Sequence, residues 1–152
     1  MIDISFLPHP GLDLTGTTDA GSVSEQMLRF GSFNYGLKFE VDGKEFLSGR
    51  GKDPILDFML YIAHSVPRVR AGESATLEIF STTYWIRIAP QAQGSVVLIT
   101  DSYGKDTAQC AVAEYFTAAL DFLRAALDYL MSRHPSLEGH VLLERIRNAA
   151  GL

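Results

Sequence analysis

Two adjoining signals between Tyr35 and Leu47 constrain the fold of this chain more than any other feature of its sequence. Large apolar residues alternate there with small or polar ones, which is the period of a strand with one buried face. The alternating apolar residues are Tyr35, Leu37, Phe39 and Val41. Asp42-Gly43 follows, and both residue types tolerate the positive φ angles of a type I′ turn. The sequence therefore predicts a β-hairpin whose second strand runs from Lys44 to Leu47.

The segments before the hairpin give weaker signals. Residues Ile2 to Leu7 alternate loosely and predict a strand that stops at Pro8-His9-Pro10-Gly11. Residues Thr15 to Ser24 are rich in Gly, Ser and Thr, which is typical of a loop. The segment from Met27 to Phe33 fits neither period clearly, and we favour a strand over a helix there.

After the hairpin, the pattern changes to the period of a helix. The sequence predicts a first helix from Pro54 to Ser65, with Asp53 as its N-cap and Pro67 ending it. A second, much longer helix is predicted from Thr107 to Arg133, because Asp106 with Gln109 resembles a capping box. Its predicted core face consists of Val112, Phe116, Leu120, Leu123, Leu127 and Leu130. A short third helix is predicted from Gly139 to Ala149.

Three strands lie between the first two predicted helices, at Ala75–Phe80, Tyr84–Ala89 and Ser95–Thr100. Their links are short enough for antiparallel hairpins. The last strand is apolar on both faces, which favours a central position in a sheet. The element order, roughly βββ-α-βββ-α-α, predicts an α+β fold with a mainly antiparallel sheet of about five to six strands and helices packed on one face. We expect residues 1–152 to form a single domain.

Composition and charge narrow the functional classes. The 152 residues carry a formal net charge of −5, which disfavours general nucleic-acid binding because that requires a basic surface. The single cysteine, Cys110, excludes an intramolecular disulfide. The N-terminal segment lacks the basic and apolar regions of a signal peptide, and the most apolar segment is too interrupted by charges to span a membrane. We therefore expect a soluble, cytoplasmic protein with no membrane association.

Candidate reactive groups are few, and each has a plain structural interpretation. Cys110 falls in the predicted first turn of the long helix, where the helix dipole favours a thiolate, but a small buried hydrophobic residue is the default interpretation. The loop Ser48–Asp53 faintly resembles an anion cradle, although turn chemistry explains its glycines. His140 and Glu144 have helical spacing, but two ligands do not make a zinc site. We therefore predict no catalytic residue, no cofactor and no metal.

Trp85 and Arg87 are the most informative surface candidates. They share one face of their predicted strand, while Tyr84, Ile86 and Ile88 share the other. If the helices cover the Ile86 face, Trp85 and Arg87 lie on the open face, where these residue types are typical interface anchors. If the helices cover the opposite face, Trp85 is ordinary core. Asp101 and Tyr103, which follow the predicted strand Ser95–Thr100, complete the predicted set of protein-binding residues.

A second surface prediction concerns the long helix. Tyr115, Phe122 and Tyr129 are spaced by sevens and widen its apolar face beyond one stripe. Either a second helix covers this flank, and the short third helix could be that cover, or another subunit does. These three residues therefore form a possible homodimer face.

The layout resembles the small acidic α+β immunity proteins that are encoded beside secreted bacterial toxins. The resemblance lies in Phe39–His64 (FEVDGKEFLSGRGKDPILDFMLYIAH), in the strand TYWIRIAP and in the capped helix after Asp106. It is one of size and layout, so it implies no residue roles. It does imply a cytoplasmic inhibitor that occludes or distorts the active site of one bacterial toxin. The alternatives are a small enzyme or ligand-binding domain with a pocket between sheet and helices, and a homodimeric structural module.

Overall fold

The computed structural model describes residues 1–14, 19–91 and 93–152. Within these ranges the chain has an α+β fold with four helices and two four-stranded antiparallel sheets. The strands are β1 (Ile2–Leu7), β2 (Asn34–Val41), β3 (Lys44–Ser48), β4 (Asp53–Pro54), β5 (Ala75–Glu78), β6 (Trp85–Pro90), β7 (Val96–Asp101) and β8 (Thr107–Ala111). The helices are α1 (Glu25–Phe30), α2 (Ile55–Arg70), α3 (Val112–Arg133) and α4 (Val141–Ala150). The predicted loop from Thr15 and the link from Pro90 lie partly outside the described residues.

The first sheet is built around the predicted hairpin. β2 pairs with β1 on one side and with β3 on the other, and its first residues also pair with the short β4. The turn residues Asp42 and Gly43 have φ angles of 48° and 83°, as the type I′ turn requires. The hairpin and the strand at Ile2–Leu7 are therefore confirmed.

The second sheet has the order β5-β6-β7-β8, so that each strand pairs with its neighbour in the chain. β7 lies between β6 and β8, which confirms the internal position predicted from its apolar sequence. The prediction of one sheet was wrong, because the hairpin strands pair with β1 rather than with the later strands. Which strands pair depends on contacts between distant segments, and local periodicity does not carry that information.

Helices α2 and α3 each pack against both sheets. α2 contacts β5 and β6 as well as β2, and α3 contacts β1, β7 and β8. Ile86, Ile88, Val97 and Ile99 of the second sheet are fully buried on the covered face. α4 packs against α2 and buries Leu142, Leu143 and Ile146. The hydrophobic core is therefore continuous from the first sheet through α2 and α3 to the second sheet.

The prediction for residues 107–111 was wrong, because this segment is strand β8 and the helix begins only at Val112. Asp106 and Gln109 therefore form no capping box, and Cys110 lies in a strand. The segment pairs residue by residue with β7, from Thr107 opposite Thr100 to Ala111 opposite Val96. These ladder hydrogen bonds, made to a strand about ten residues away, overrode the local helical pattern.

Two further predictions about the helices were wrong. The segment favoured as a strand at Met27–Phe33 begins as helix α1, because the Ser24 hydroxyl accepts a hydrogen bond from the Met27 amide at 3.2 Å and caps the helix. Helix α2 has Pro54 rather than Asp53 as its N-cap, and it continues through Pro67 to Arg70. The buried side chains of Val66 and Val69 hold that last turn against the core.

Candidate protein-binding surface

Trp85 and Arg87 lie on the uncovered face of the second sheet. The helices cover the face of β6 that carries Ile86 and Ile88, both fully buried. Trp85 on the opposite face is half-buried and Arg87 is exposed. The Arg87 guanidinium lies over the Trp85 ring, 4.9 Å from the ring centroid. The two interpretations of Trp85 are thus resolved in favour of the open face, where the pair forms a preorganised cation–π contact.

Tyr103 is presented by the loop between β7 and β8. It is 66% exposed, and its ring packs against the Tyr84 ring at a centroid distance of 5.1 Å. The Asp101 carboxylate accepts hydrogen bonds from the backbone amides of Tyr103 at 3.0 Å and Lys105 at 3.2 Å. Asp101 itself is only 6% exposed. Its prediction as a contact residue was therefore wrong, because its carboxylate holds the turn that exposes Tyr103.

The possible homodimer face on α3 is not a surface. Tyr115 is fully buried, and its hydroxyl shares a hydrogen bond with the Ser65 hydroxyl of α2. Phe122 is 2% exposed and packs edge-on against Phe58 and Phe6. Tyr129 is partly buried and packs edge-on against Phe6, with a centroid distance of 5.6 Å. The first sheet and α2 therefore cover the flank that the sequence left open, and the dimer-face prediction was wrong.

The predicted core face of α3 was rotated for the same reason. Leu123, Leu127 and Leu130 are buried as predicted, whereas Val112, Phe116 and Leu120 are only partly buried. The buried face in the N-terminal half of the helix is instead formed by Tyr115, Ala119 and Phe122. Heptad spacing of the aromatic residues was the signal that could have located this face.

A cleft that the sequence did not indicate lies at the turn between β5 and β6. We call it the Asp57 cleft; its volume is about 370 Å³. Asp57 of α2 is 3% exposed, and its Oδ1 accepts a hydrogen bond from Arg29 Nε at 2.6 Å. Tyr61, one turn further along α2, donates its hydroxyl to Glu78 Oε2 at 2.9 Å. An acidic residue inside the apolar run Ile55–Ile62 was the signal that could have revealed this site.

Burial perturbs the titrating groups of the Asp57 cleft. Desolvation raises the pKa of Asp57 above its usual value, and the nearby charge of Glu78 adds to that effect while Arg29 opposes it. Desolvation, the hydrogen bond to Glu78 and the charge of Glu78 raise the pKa of Tyr61 to about 12. Tyr61 therefore remains a hydrogen-bond donor at neutral pH.

Aromatic side chains line the outer part of the Asp57 cleft. The ring of Phe80, which is 42% exposed, stacks on Phe30 at a centroid distance of 4.6 Å. The Arg29 guanidinium lies over the other ring of that pair, 4.7 Å from the Phe30 centroid. Tyr84 and Trp85 contribute to the same lining. The Asp57 cleft thus extends to Trp85 at the start of β6.

A second, larger cleft of about 740 Å³ separates the two sheets at the end of the hairpin. The loop predicted as a possible anion cradle, Ser48–Asp53, forms one wall, and Tyr103 and Lys105 contribute to the other. Asp53 is half-buried in this lining, and desolvation raises the pKa of its carboxyl group above the usual value. Because this wall holds a carboxylate as well as Arg50, it lacks the uniform positive charge that would favour a phosphate.

The structure also places the remaining reactive candidates. Cys110 is buried in β8, and desolvation together with the charge of Glu114 raises the pKa of its thiol to about 11. It is therefore protonated at neutral pH and a poor nucleophile. His140 caps α4 through Nδ1, which accepts from the Leu142 amide at 3.1 Å, while Glu144 pairs with Arg147 at 3.0 Å. The two residues thus have separate structural partners.

Residues 1–14, 19–91 and 93–152 contain no group of three or more His, Cys, Asp or Glu residues arranged to hold a metal ion. In the same ranges no helix has both the length and the apolarity needed to cross a membrane. Comparison of the chain with protein-family models, curated proteins and solved structures gives no match.

Proposed function

We propose that this protein is a non-catalytic binding module that recognises another protein through the open face of its second sheet. The observation that carries the proposal is the Trp85–Arg87 pair, stacked at 4.9 Å on an uncovered sheet face. Tryptophan, tyrosine and arginine dominate the binding energy of protein interfaces. Exposed Phe80, in the turn before β6, and exposed Tyr103, in the loop between β7 and β8, add further aromatic surface.

The best-fitting partner is a bacterial toxin domain, which the protein would neutralise as an immunity protein in the cytoplasm. This part of the proposal draws on the resemblance in size and layout and on the net charge of −5. A negatively charged inhibitor associates rapidly with a positively charged partner, because their electrostatic potentials are complementary. A toxin domain with a basic active-site surface has that property.

The buried state of Cys110 supports a role without nucleophilic chemistry, because its thiol has a pKa of about 11. A ligand-binding domain is the second candidate function. The 740 Å³ cleft between the sheets favours it, since this volume lies in the range of small-molecule sites. A homodimeric module is the third candidate, but the residues on which that interpretation depended, Tyr115 and Phe122, are buried within the chain.

The experiment is to measure binding of a toxin domain encoded beside this gene, by calorimetry on the purified proteins, together with protection of cells that express the toxin. We expect Trp85→Ala and Arg87→Ala each to weaken the Kd about tenfold or more, as for central interface anchors. Protection should fall in parallel with affinity.

Two control variants separate interface loss from unfolding. Arg124→Ala removes an exposed arginine of α3 whose ion-pair partner among the described residues is Asp121, at 3.6 Å, and we expect it to leave the Kd unchanged. Cys110→Ala should also retain full protection. Equal affinity of the wild-type protein and the folded Trp85→Ala variant would contradict the proposal, as would loss of protection in a folded Cys110→Ala variant.

A further inference from the structure

The Asp57 cleft contains an acidic oxygen that the protein itself does not use. Oδ1 of Asp57 accepts the hydrogen bond from Arg29, and among the described residues Oδ2 has no hydrogen-bond partner. In the same part of the chain, every fully buried side-chain oxygen or nitrogen has a hydrogen-bond partner. Because Oδ2 has none, solvent must reach it. Since Asp57 as a whole is only 3% exposed, its accessible oxygen must face the cleft.

Glu78 supplies a second acceptor at the rim. One of its oxygens accepts from the Tyr61 hydroxyl, and no lysine, arginine or histidine of the described residues forms an ion pair with it. The cleft therefore combines two carboxylates with one guanidinium, that of Arg29. The side chains that line the cleft therefore carry a net negative charge, and a further cation would relieve the repulsion between Asp57 and Glu78.

The aromatic lining favours a planar cation over a compact one. A guanidinium stacks on aromatic rings and donates paired hydrogen bonds to carboxylates, whereas an ammonium is a compact and strongly hydrated charge. Arg29 already shows this mode of binding inside the protein, because its guanidinium group contacts both the Asp57 carboxylate and the Phe30 ring. Phe80 and Trp85 leave further aromatic surface in the same cleft.

From this geometry we propose that the Asp57 cleft receives an arginine side chain of the partner protein, held by Asp57 and Glu78 and flanked by Phe80 and Trp85. This inference rests on the proposed binding function and specifies the chemistry of the partner. The volume of about 370 Å³ suits one long side chain rather than a folded segment. The partner surface would therefore carry an exposed arginine opposite the turn between β5 and β6.

The test uses the full chain and small probes, so it does not require the partner. Trp85 is the only tryptophan, and its fluorescence and indole NMR signal report directly on this cleft. N-acetyl-arginine amide is titrated to its solubility limit and compared with N-acetyl-citrulline amide, a neutral analogue of the same shape, and with N-acetyl-lysine amide. We expect the arginine probe to produce a saturable Trp85 response at least about fivefold stronger than the other two.

Glu78→Gln keeps the shape of the rim and removes its charge, and we expect it to weaken the response to arginine severalfold. Asp128→Asn neutralises an exposed carboxylate of α3 outside the cleft and should leave the response unchanged. Equal responses to arginine and citrulline would overturn the inference, as would an arginine response that Glu78→Gln leaves intact. Neither result decides whether the protein binds a partner, because the Kd of the Trp85→Ala variant tests that separately. Failure of the arginine inference and failure of the proposed function are therefore distinguishable.

Discussion

At the scale of single residues, Asp53 shows how burial without a partner affects stability. Its carboxyl group is half-buried beside the larger cleft and accepts no hydrogen bond from any described residue. Desolvation therefore raises its pKa in the folded protein above the ordinary value of 3.8. The folded state then binds the proton more tightly than the unfolded state, so stability falls as pH rises from about 3.8 through the raised pKa.

Asp53→Asn removes this ionisation, and we expect a higher Tm at pH 7 that returns to the wild-type Tm as the pH falls below about 3.8. Thermal unfolding followed by circular dichroism over that pH range measures the effect. Asp128→Asn, which neutralises an exposed carboxylate, is the matched control and should not change the Tm. A gain that persists undiminished at about pH 3 would show that the amide acts by another route than charge.

At the scale of elements, α3 distinguishes two leucines that look equivalent in the sequence. Leu123 is fully buried, whereas Leu120, three residues earlier, is only partly buried. We expect Leu123→Ala to destabilise the protein by about 2–5 kcal/mol, because it removes buried methyl groups and leaves a cavity. Leu120→Ala should cost clearly less. Urea unfolding measures both, and a loss below about half a kcal/mol for Leu123→Ala would mean that the helix packs differently.

The elements also show what local sequence can and cannot predict. The hairpin from Tyr35 was predictable because its alternation and its Asp-Gly turn are both local signals. Strand β8 was not, because Ala108, Cys110 and Ala111 suit a helix equally well and only pairing with β7 makes them a strand. Likewise, Trp85 and Arg87 could be assigned to one face of a strand, but which face the helices cover depends on the tertiary structure. The Asp57 cleft depends on three separate segments of the chain and was therefore missed.

At the scale of the whole molecule, Asp13 connects segments that are far apart in the chain. It is 8% exposed and accepts hydrogen bonds from the Tyr35 hydroxyl of β2 and from Arg133 Nε at 3.1 Å, at the end of α3. His134 Nε2 lies 3.0 Å from the same carboxylate. One buried carboxylate thus joins the N-terminal segment, the first sheet and the longest helix.

We expect Asp13→Ala to destabilise the protein by about 2–3 kcal/mol, because it leaves the buried Tyr35 hydroxyl and the partly exposed Arg133 and His134 without their acceptor. Tyr35→Phe should cost less, about 1–2 kcal/mol, since Asp13 keeps its other donors. The double variant should lose clearly less stability than the sum of the losses in the two single variants. Chemical unfolding of all four proteins provides this cycle, and strictly additive losses would show that the two side chains do not interact.

Helix α2 has eleven of its sixteen residues buried and packs against β5, α3 and α4. A helix enclosed in this way cannot open on its own, so its amides should exchange with solvent only when the entire protein unfolds. The same helix supplies Asp57 and Tyr61 to the cleft. A side chain bound in that cleft would stabilise the folded state and therefore slow amide exchange along the whole of α2. Binding at the surface would thus be detectable in the most buried helix of the protein.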